Sequence, residues 1–285
     1  MRLFFGVCLL CFLTPGGMNA ASPFPETFIP FEYSEGLLWV QLHVPQSARP
    51  LNFLFDTGAS VSVVNSSTAK ALGLGTGRKI AVQGVDTETT GHWPARMTAS
   101  AGNIPLPAQY LALDLNRLAH SCGRPLDGLL GADFVRGRRI EIDFVSRQIR
   151  FLDEVSISKS DTVIPLERCR DCFCINIGVN GRQRQLVRLD TGCVTALQWV
   201  TSNPVTCVKS EKPAIGLVSL TIPQAETEVS LGDRHFDRVP TGIHRRPIFA
   251  GEAGLFGNGL LARFKTVTID AKANRLILGQ LQAVN

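Results

Sequence analysis

Polar and apolar residues alternate along two similar stretches of the chain. In the first stretch, residues 38–44 and then 51–55 place apolar side chains at every second position. In the second, residues 174–179 do the same, and Asn180-Gly181 separates them from a second, largely apolar run at 185–189. A period of two is typical of strands with one buried face, and Asn-Gly between two apolar runs is a strong hairpin signal. The pattern predicts a pair of antiparallel strands in each stretch.

The two stretches are halves of an internal repeat. Each second strand runs directly into Asp-Thr-Gly, at residues 56–58 and again at 190–192. Further along, each half has a block of two apolar residues and a glycine, at 129–131 and 255–257, followed by a strand-turn-strand pattern. A repeat of this length predicts that one supersecondary unit occurs twice. We therefore expect two all-β lobes of the same topology.

One short helix interrupts the predicted strands. Asn65 or Ser66 can cap it, residues 68–72 form its body, and Gly73 ends it. Elsewhere the 26 glycines and 16 prolines of the chain indicate many short strands joined by turns.

The chain begins with the pattern of an export signal. Arg2 precedes an apolar run that is too short to span a bilayer as a helix, and small residues follow it. We predict a signal peptide at 1–20, with an uncleaved anchor as the alternative, and an extended proline-containing leader at 21–33. The lobes are predicted at 34–158 and 159–285. This organisation indicates a secreted or periplasmic protein without stable membrane insertion after cleavage.

Composition is that of an ordinary globular protein. Hydrophobic residues make up 45% and charged residues 19% of the chain, which favours a packed core over disorder. The formal net charge is +5, but the basic clusters near residues 136–139 and at 245–246 are short. They are typical of solvated loops, so we expect no nucleic-acid partner.

The cysteines leave several alternatives open. An even number of cysteines beyond the signal peptide favours disulfides in an exported protein. A partial zinc site at Cys169, Cys172 and Cys174 is the alternative, and with it a redox or metal protein, but no matching histidine pair accompanies this cluster. We expect no metal and no cofactor. Cys193 is interpreted either as a partner of Cys207 or as a small apolar filler.

The motifs together resemble a known family. Asp-Thr-Gly-Ala-Ser at 56–60, behind Phe-Leu-Phe at 53–55 and ahead of Gly-Leu-Leu-Gly at 128–131, is similar to the retropepsin and pepsin superfamily of aspartic proteases. The resemblance covers nearly all of residues 34–280. It implies an all-β, bilobal acid protease fold with two β-barrel-like lobes related by a pseudo-twofold axis. Because one chain carries both halves, it also implies a monomer.

The resemblance implies a catalytic pair, Asp56 and Asp190. Two facing carboxyl groups cannot both stay ionised, so they share a proton, and one can activate water while the other polarises a carbonyl group. The implied activity is that of an aspartic endopeptidase acting on protein or peptide substrates. A catalytically weak or inactive peptide-binding protein of the same fold is the alternative.

Further site residues follow from the same resemblance. The threonine and glycine of each motif would support the two aspartates, the hydroxyl groups by locking the two loops together and the glycines by allowing close approach. These four residues are Thr57, Gly58, Thr191 and Gly192. A flap hairpin would cover the cleft, and Gly84, Val85 and Trp93 are its predicted residues.

Two positions depart from the pepsin pattern. Ala59 and Cys193 follow the two motifs where pepsin-like enzymes carry Ser or Thr, whose hydroxyl group donates to the catalytic carboxylate. Without that donor the neutral acid is favoured. We therefore expect a pH optimum that is mildly acidic to near neutral.

Overall fold

The structure, a computed structural model, describes residues 28–85, 87–202, 207–214 and 220–283, and for 207–214 and 220–221 the backbone alone. The predicted signal peptide and residues 21–27 of the predicted leader lie outside the described residues. The described strands of the first half are β1 Phe28–Ser34, β2 Leu37–Leu42, β3 Leu51–Phe55, β4 Val63–Asn65, β5 Thr76–Gly84, β6 Thr87–Arg96, β7 Ser100–Ala101, β8 Ile104–Pro105, β9 Gln109–Leu113, β10 Gly128–Leu130, β11 Arg139–Asp143 and β12 Gln148–Phe151. Those of the second half are β13 Thr162–Pro165, β14 Glu167–Cys169, β15 Cys172–Val179, β16 Gln185–Leu189, β17 Leu197–Val200, β18 Cys207–Ala214, β19 Leu220–Leu231, β20 Arg234–His244, β21 Gly254–Phe256, β22 Thr266–Asp270 and β23 Arg275–Leu278.

Four short helices accompany the strands in the described ranges: α1 Ser66–Ala71, α2 Asn116–Ser121, α3 Ala132–Val135 and α4 Asn258–Leu261. None of them has the length and apolar character that a membrane span requires.

The two lobes have the same strand order, as the internal repeat predicts. The first lobe runs β2-β3-β10-β4-β9-β6-β5 and the second runs β15-β16-β21-β17-β20-β19-β18. The directions also agree, because β3 with β10 and β4 with β9 are parallel pairs, and so are β16 with β21 and β17 with β20. The remaining pairs of each lobe are antiparallel. The predicted all-β bilobal fold is therefore confirmed.

A central antiparallel sheet joins the lobes. Its order is β13-β23-β22-β11-β12-β1, so each half supplies three strands. The halves meet where β11 pairs with β22, with Ile140 opposite Ile269 and Ile142 opposite Val267. All four side chains are fully buried. The equivalent strands of the repeat thus pair with each other, which is the arrangement expected about a pseudo-twofold axis.

Local predictions can be compared with the structure in the same way. α1 is confirmed: the Asn65 side chain caps it by accepting from the backbone N–H of Ser67, and Gly73 follows it with a φ of 66°. The hairpin at Asn180-Gly181 is confirmed, since both residues have positive φ between β15 and β16. The last residues of the predicted leader form most of β1, which pairs with β2 and β12.

The cysteines pair in one way that the sequence left open. A disulfide joins Cys169 to Cys174 across the β14–β15 hairpin. Their sulfur atoms are therefore not available as thiolate ligands for the zinc site considered above. Cys172 and Cys193 carry free thiols. The side chain of Cys207, the partner of Cys193 in one of its two interpretations, lies outside the described residues, and the Cys193 sulfur lies 3.2 Å from the Thr195 hydroxyl oxygen.

The two Asp-Thr-Gly loops are locked together by their threonines. Thr57 Oγ1 donates to the carbonyl oxygen of Leu189 at 2.8 Å, and Thr191 Oγ1 donates to that of Phe55 at 2.7 Å. Each hydroxyl oxygen also accepts the backbone N–H of the other threonine, at 3.0 and 3.1 Å. Both threonines are fully buried, so no water can replace these bonds. The lock fixes the separation of the two loops.

Replacing one hydroxyl should weaken the whole fold. In Thr191→Val the Phe55 carbonyl and the Thr57 N–H both lose a buried partner, and we expect the free energy of unfolding to fall by about 1–3 kcal/mol. Urea denaturation would measure it. Thr191→Ser keeps the hydroxyl group and should lose less. An equal loss in both variants would show that the methyl group, and not the hydrogen bonds, matters there.

Candidate active site

Each aspartate directly follows the last residue of a buried strand. The backbone N–H of Asp56 donates to the Leu130 carbonyl at 2.9 Å, and that of Asp190 donates to the Phe256 carbonyl at 2.9 Å. These carbonyls belong to β10 and β21, the parallel neighbours of β3 and β16. The two apolar-apolar-glycine blocks of the sequence thus pack beneath the two loops. They hold the two aspartates in equivalent positions.

The two carboxyl groups lie in direct contact. A side-chain hydrogen bond joins Asp56 to Asp190. The glycines of the motifs make this approach possible: a Cβ atom on Gly58 would overlap the Asp190 carboxyl group, and one on Gly192 would overlap that of Asp56. Any side chain at either glycine would push the loops apart, so the structure brings these four predicted residues together at one point.

Burial and charge set the ionisation of this pair. Burial raises the pKa of both aspartates, and the pKa of Asp190 rises well above its ordinary value because Asp56 also presents a negative charge. The backbone favours Asp56 as the carboxylate: its Oδ1 accepts N–H groups from Gly58 at 3.0 Å and Ala59 at 3.2 Å. Asp190 Oδ1 accepts one, from Gly192 at 2.8 Å. The shared proton is therefore better held on Asp190.

A cavity of about 200 Å³ opens above the pair. Residues of both lobes line it, together with the tip of the β5–β6 hairpin, where Gly84 and Val85 lie. Val85 packs against an apolar cluster of the second lobe that includes Ile248. Gln83 Nε2 also reaches the Ile248 carbonyl oxygen at 3.5 Å. The hairpin therefore bridges the two lobes over the aspartates, where a flap was predicted.

Trp93 does not share this position. It lies on β6, further from the hairpin tip, and packs with Ile80 and Val82 against the apolar cluster of the first lobe. It is not among the residues that line the cavity. Of the three predicted flap residues, two lie at the cavity, whereas the aromatic ring belongs to the packing behind it.

A buried ion pair beside the aspartates was not predicted. Arg188 Nε and Nη2 donate to the two carboxylate oxygens of Glu252 at 2.7 and 2.6 Å. The side chains are 7% and 3% exposed, respectively. Phe249 covers the guanidinium group, with its ring centroid 3.6 Å away. The positive charge of Arg188 lowers the pKa of both Asp56 and Asp190, against the larger opposite effect of burial.

Arg188 also holds the first Asp-Thr-Gly loop from the opposite lobe. Its Nη1 donates to the Gly58 carbonyl oxygen at 2.9 Å, and the Cys172 thiol donates to the same oxygen at 3.4 Å. Burial raises the pKa of the Cys172 thiol to about 11 and that of Cys193 to about 12. Both thiols are thus neutral at physiological pH. Because the thiolate is the nucleophilic form, neither has the character of a catalytic cysteine.

One signal in the sequence could have revealed Arg188. The repeat aligns Arg188 with Leu54, each two residues before its aspartate, so a charge stands where the first copy has an apolar residue. A charge inside an apolar strand requires a partner. Nothing local identifies Glu252 as that partner, since it lies 64 positions away.

The ion pair gives a stability prediction. Arg188→Met leaves Glu252 buried without its partner, and we expect the free energy of unfolding to fall by about 3–5 kcal/mol. Replacing both residues, in Arg188→Met with Glu252→Met, removes the unpaired charge and should restore part of that loss. Urea denaturation of both variants tests this. A double variant no more stable than the single one would contradict a direct pairing.

Comparison with known proteins agrees with this geometry. Residues 40–134 match a family model described as aspartyl protease. The fold is similar to the crystal structure of an aspartic proteinase from Irpex lacteus, with a TM-score of 0.59 and 13% sequence identity over 90% of this chain and 98% of that one. No curated protein matches the sequence. The first-lobe sequence match and the fold together support the aspartic protease superfamily.

Proposed function

We propose that this protein is an aspartic endopeptidase in which Asp56 and Asp190 hydrolyse peptide bonds through an activated water molecule. The observation that carries the proposal is the contact of two carboxyl groups, that of a buried Asp190 and that of a half-buried Asp56, at the base of a cavity covered by a hairpin. A structural role alone would not favour burying two acids side by side, since like charges destabilise each other. Such strained pairs are typical of catalytic sites.

The asymmetry of the pair suggests the division of roles. Asp56, which accepts two backbone N–H groups, acts as the base that takes a proton from water. Asp190, which holds the shared proton, donates to the carbonyl oxygen of the scissile bond as the water attacks. Proton transfer from the Asp56 carboxyl group to the leaving nitrogen then breaks the C–N bond. As the C–N bond breaks, a hydroxyl group of the tetrahedral intermediate returns a proton to Asp190, so both aspartates regain their starting protonation and no covalent intermediate with the protein is formed.

Substrate entry requires the hairpin to move. A cavity of about 200 Å³ is smaller than a typical ligand pocket, and Val85 lies against the second lobe. An extended peptide would bind as the hairpin lifts and would be enclosed when it returns. The conformation described here is therefore the closed one in this proposal, and Gly84 and Val85 are proposed substrate-contacting residues.

We place this activity outside the cytoplasm. The predicted signal peptide supports a secreted or periplasmic location, and so does the disulfide between Cys169 and Cys174, since disulfides persist in oxidising compartments. Protein or peptide chains are the proposed substrates. Because one chain supplies both aspartates, we propose that it works as a monomer.

A peptide-binding protein with weak or no catalysis is the second candidate. Arg188 favours this alternative, because its charge stabilises the ionised form of both aspartates and a pair that loses its shared proton cannot protonate the carbonyl oxygen. The larger effect of burial acts in the opposite direction, so we favour the enzyme.

Replacing either aspartate should abolish hydrolysis. With an unfolded protein as substrate, we expect Asp56→Asn and Asp190→Asn each to reduce kcat/KM by at least about 1,000-fold, because neither water activation nor carbonyl protonation survives alone. If one variant cleaves like wild type, the proposed pair is wrong. If wild type itself binds peptides but cleaves none, the second candidate is correct.

The pH dependence of thermal stability gives a second test of the Asp190 assignment. For Asp190, a raised pKa in the folded state means that the folded protein binds more protons than the unfolded one, so stability falls as pH rises from the ordinary carboxyl pKa through the raised value. Asp190→Asn removes this loss. We expect its Tm to exceed that of wild type at pH 7 and the difference to shrink below about pH 4.

The pH profile of kcat/KM gives an independent check. Burial raises the pKa of both aspartates, so the acidic limb should lie above the ordinary carboxyl range and the maximum at mildly acidic to near-neutral pH. Ala59→Ser adds a hydroxyl donor beside Asp56 and should move the acidic limb to lower pH, because it stabilises the carboxylate. A wild-type maximum below about pH 3 would contradict the assignment.

A further inference from the structure

The two lobes line the cavity with residues of different chemistry. The strand registers of the two lobes identify which positions are equivalent, because the same parallel and antiparallel pairs recur in both. In the first lobe, Leu129 pairs with both Leu54 and Val63, and Val63 pairs with Leu111. In the second lobe, the corresponding residues are Leu255, Arg188, Gln198 and Gly242.

The first-lobe row is entirely apolar. All four of its side chains line the cavity, and Val61, Leu113 and Leu118 extend the same wall. A wall of this kind has no hydrogen-bonding group to offer, so it suits a large aliphatic or aromatic side chain. In the second lobe only one residue of the row, Leu255, keeps this character.

Gln198 faces the cavity without its full set of hydrogen-bond partners. It lines the cavity and is only 6% exposed. Its Oε1 lies 2.7 Å from His244 Nε2, and since an amide oxygen only accepts, the imidazole is the donor. The Nε2 amide group of Gln198 has no hydrogen-bond partner within the described part of the chain. This group is not one of the fully buried polar atoms that lack a partner, so it is open to the cavity, and a ligand bound there can accept a hydrogen bond from it.

The surroundings of Gln198 select the charge of that ligand. Arg188 lines the same wall, but Glu252 neutralises it. The aspartate pair next to it carries one negative charge when one proton is shared. A substrate carboxylate would therefore approach a net negative site, and a lysine side chain would bring a second donor to the Gln198 Nε2 group.

We propose that the second-lobe half of the cavity is a subsite for an uncharged side chain that accepts hydrogen bonds, glutamine or asparagine, with Gln198 as its specificity-determining residue. The first-lobe half binds a large apolar side chain. Resting on the proposed function, the inference is that this protein cleaves between an apolar residue and a carboxamide residue. The Gln198 Nε2 group donates to the carboxamide oxygen of the substrate.

A peptide series tests the proposal directly. Four peptides of otherwise identical sequence carry Leu-Leu, Leu-Gln, Gln-Leu or Leu-Glu at the central pair. For wild type we expect one of the two mixed orders to exceed Leu-Leu in kcat/KM by about five- to tenfold, the effect of one buried hydrogen bond. The Leu-Glu peptide should fall below Leu-Gln. A preference for Leu-Leu over both mixed peptides would overturn the proposal.

Variants of Gln198 connect the preference to this side chain. Gln198→Met keeps the length of the side chain but removes its donor, and Gln198→Val introduces the residue found at the equivalent position of the first lobe. In both, the preference for glutamine over leucine should fall to about onefold. Gln41→Met, the same substitution at an exposed position of β2, is the matched control and should keep the wild-type ratio. An unchanged ratio in both Gln198 variants would exclude Gln198 as the determinant.

A binding measurement separates this inference from the proposed function. In analogues of the four peptides, a CH2–NH group replaces the central amide bond so that they cannot be cleaved. If wild type hydrolyses none of the parent peptides, the endopeptidase proposal fails, yet the ratio of Kd values for the leucine and glutamine analogues still reports on the subsite. Equal Kd values in wild type would overturn the subsite proposal, whatever the activity.

Discussion

Two carboxyl groups in contact with each other, one buried and one half-buried, form the arrangement on which the site depends. Such a contact is unfavourable unless one proton is shared, and it persists only if the surrounding structure holds it in place. The threonine hydroxyl groups provide that restraint, because each bonds to the strand of the opposite lobe. Gly58 and Gly192 make the contact possible by leaving no atom between the loops. The central sheet then fixes the lobes, so the geometry of the pair is set before any substrate binds.

Most of the fold could be predicted from local patterns. The period of two, the Asn180-Gly181 turn and the Asn65 cap are encoded within a few neighbouring residues, and each determines one element of the structure. The doubled Asp-Thr-Gly motif adds long-range information, since a repeat implies that the same topology occurs twice. From it followed the two lobes and the meeting of Asp56 with Asp190, although no local pattern connects those two residues.

The parts that could not be predicted depend on contacts between distant residues. Arg188 is visible as an anomaly in the repeat, but its partner Glu252 lies in a loop without periodicity, and only the fold brings the two together. The disulfide has the same character: with several cysteines available, the β14–β15 hairpin decides that Cys169 joins Cys174. Trp93 shows the reverse case, in which the position on the hairpin was inferred but the direction of packing was not.

The difference between the lobes is a consequence of carrying both halves on one chain. In an assembly of two identical subunits, every residue beside the aspartates appears twice, so an arginine at the position of Leu54 would place two cations against one shared proton. Duplication within a chain removes this restriction, since Leu54 can remain apolar while Arg188 and Gln198 change. A symmetric site must bind both sides of a peptide with the same chemistry. The wall of this cavity differs between the lobes, so it can bind the two sides of a peptide with different chemistry. Because Arg188 is paired with the buried Glu252, this difference adds no net charge beside the aspartates.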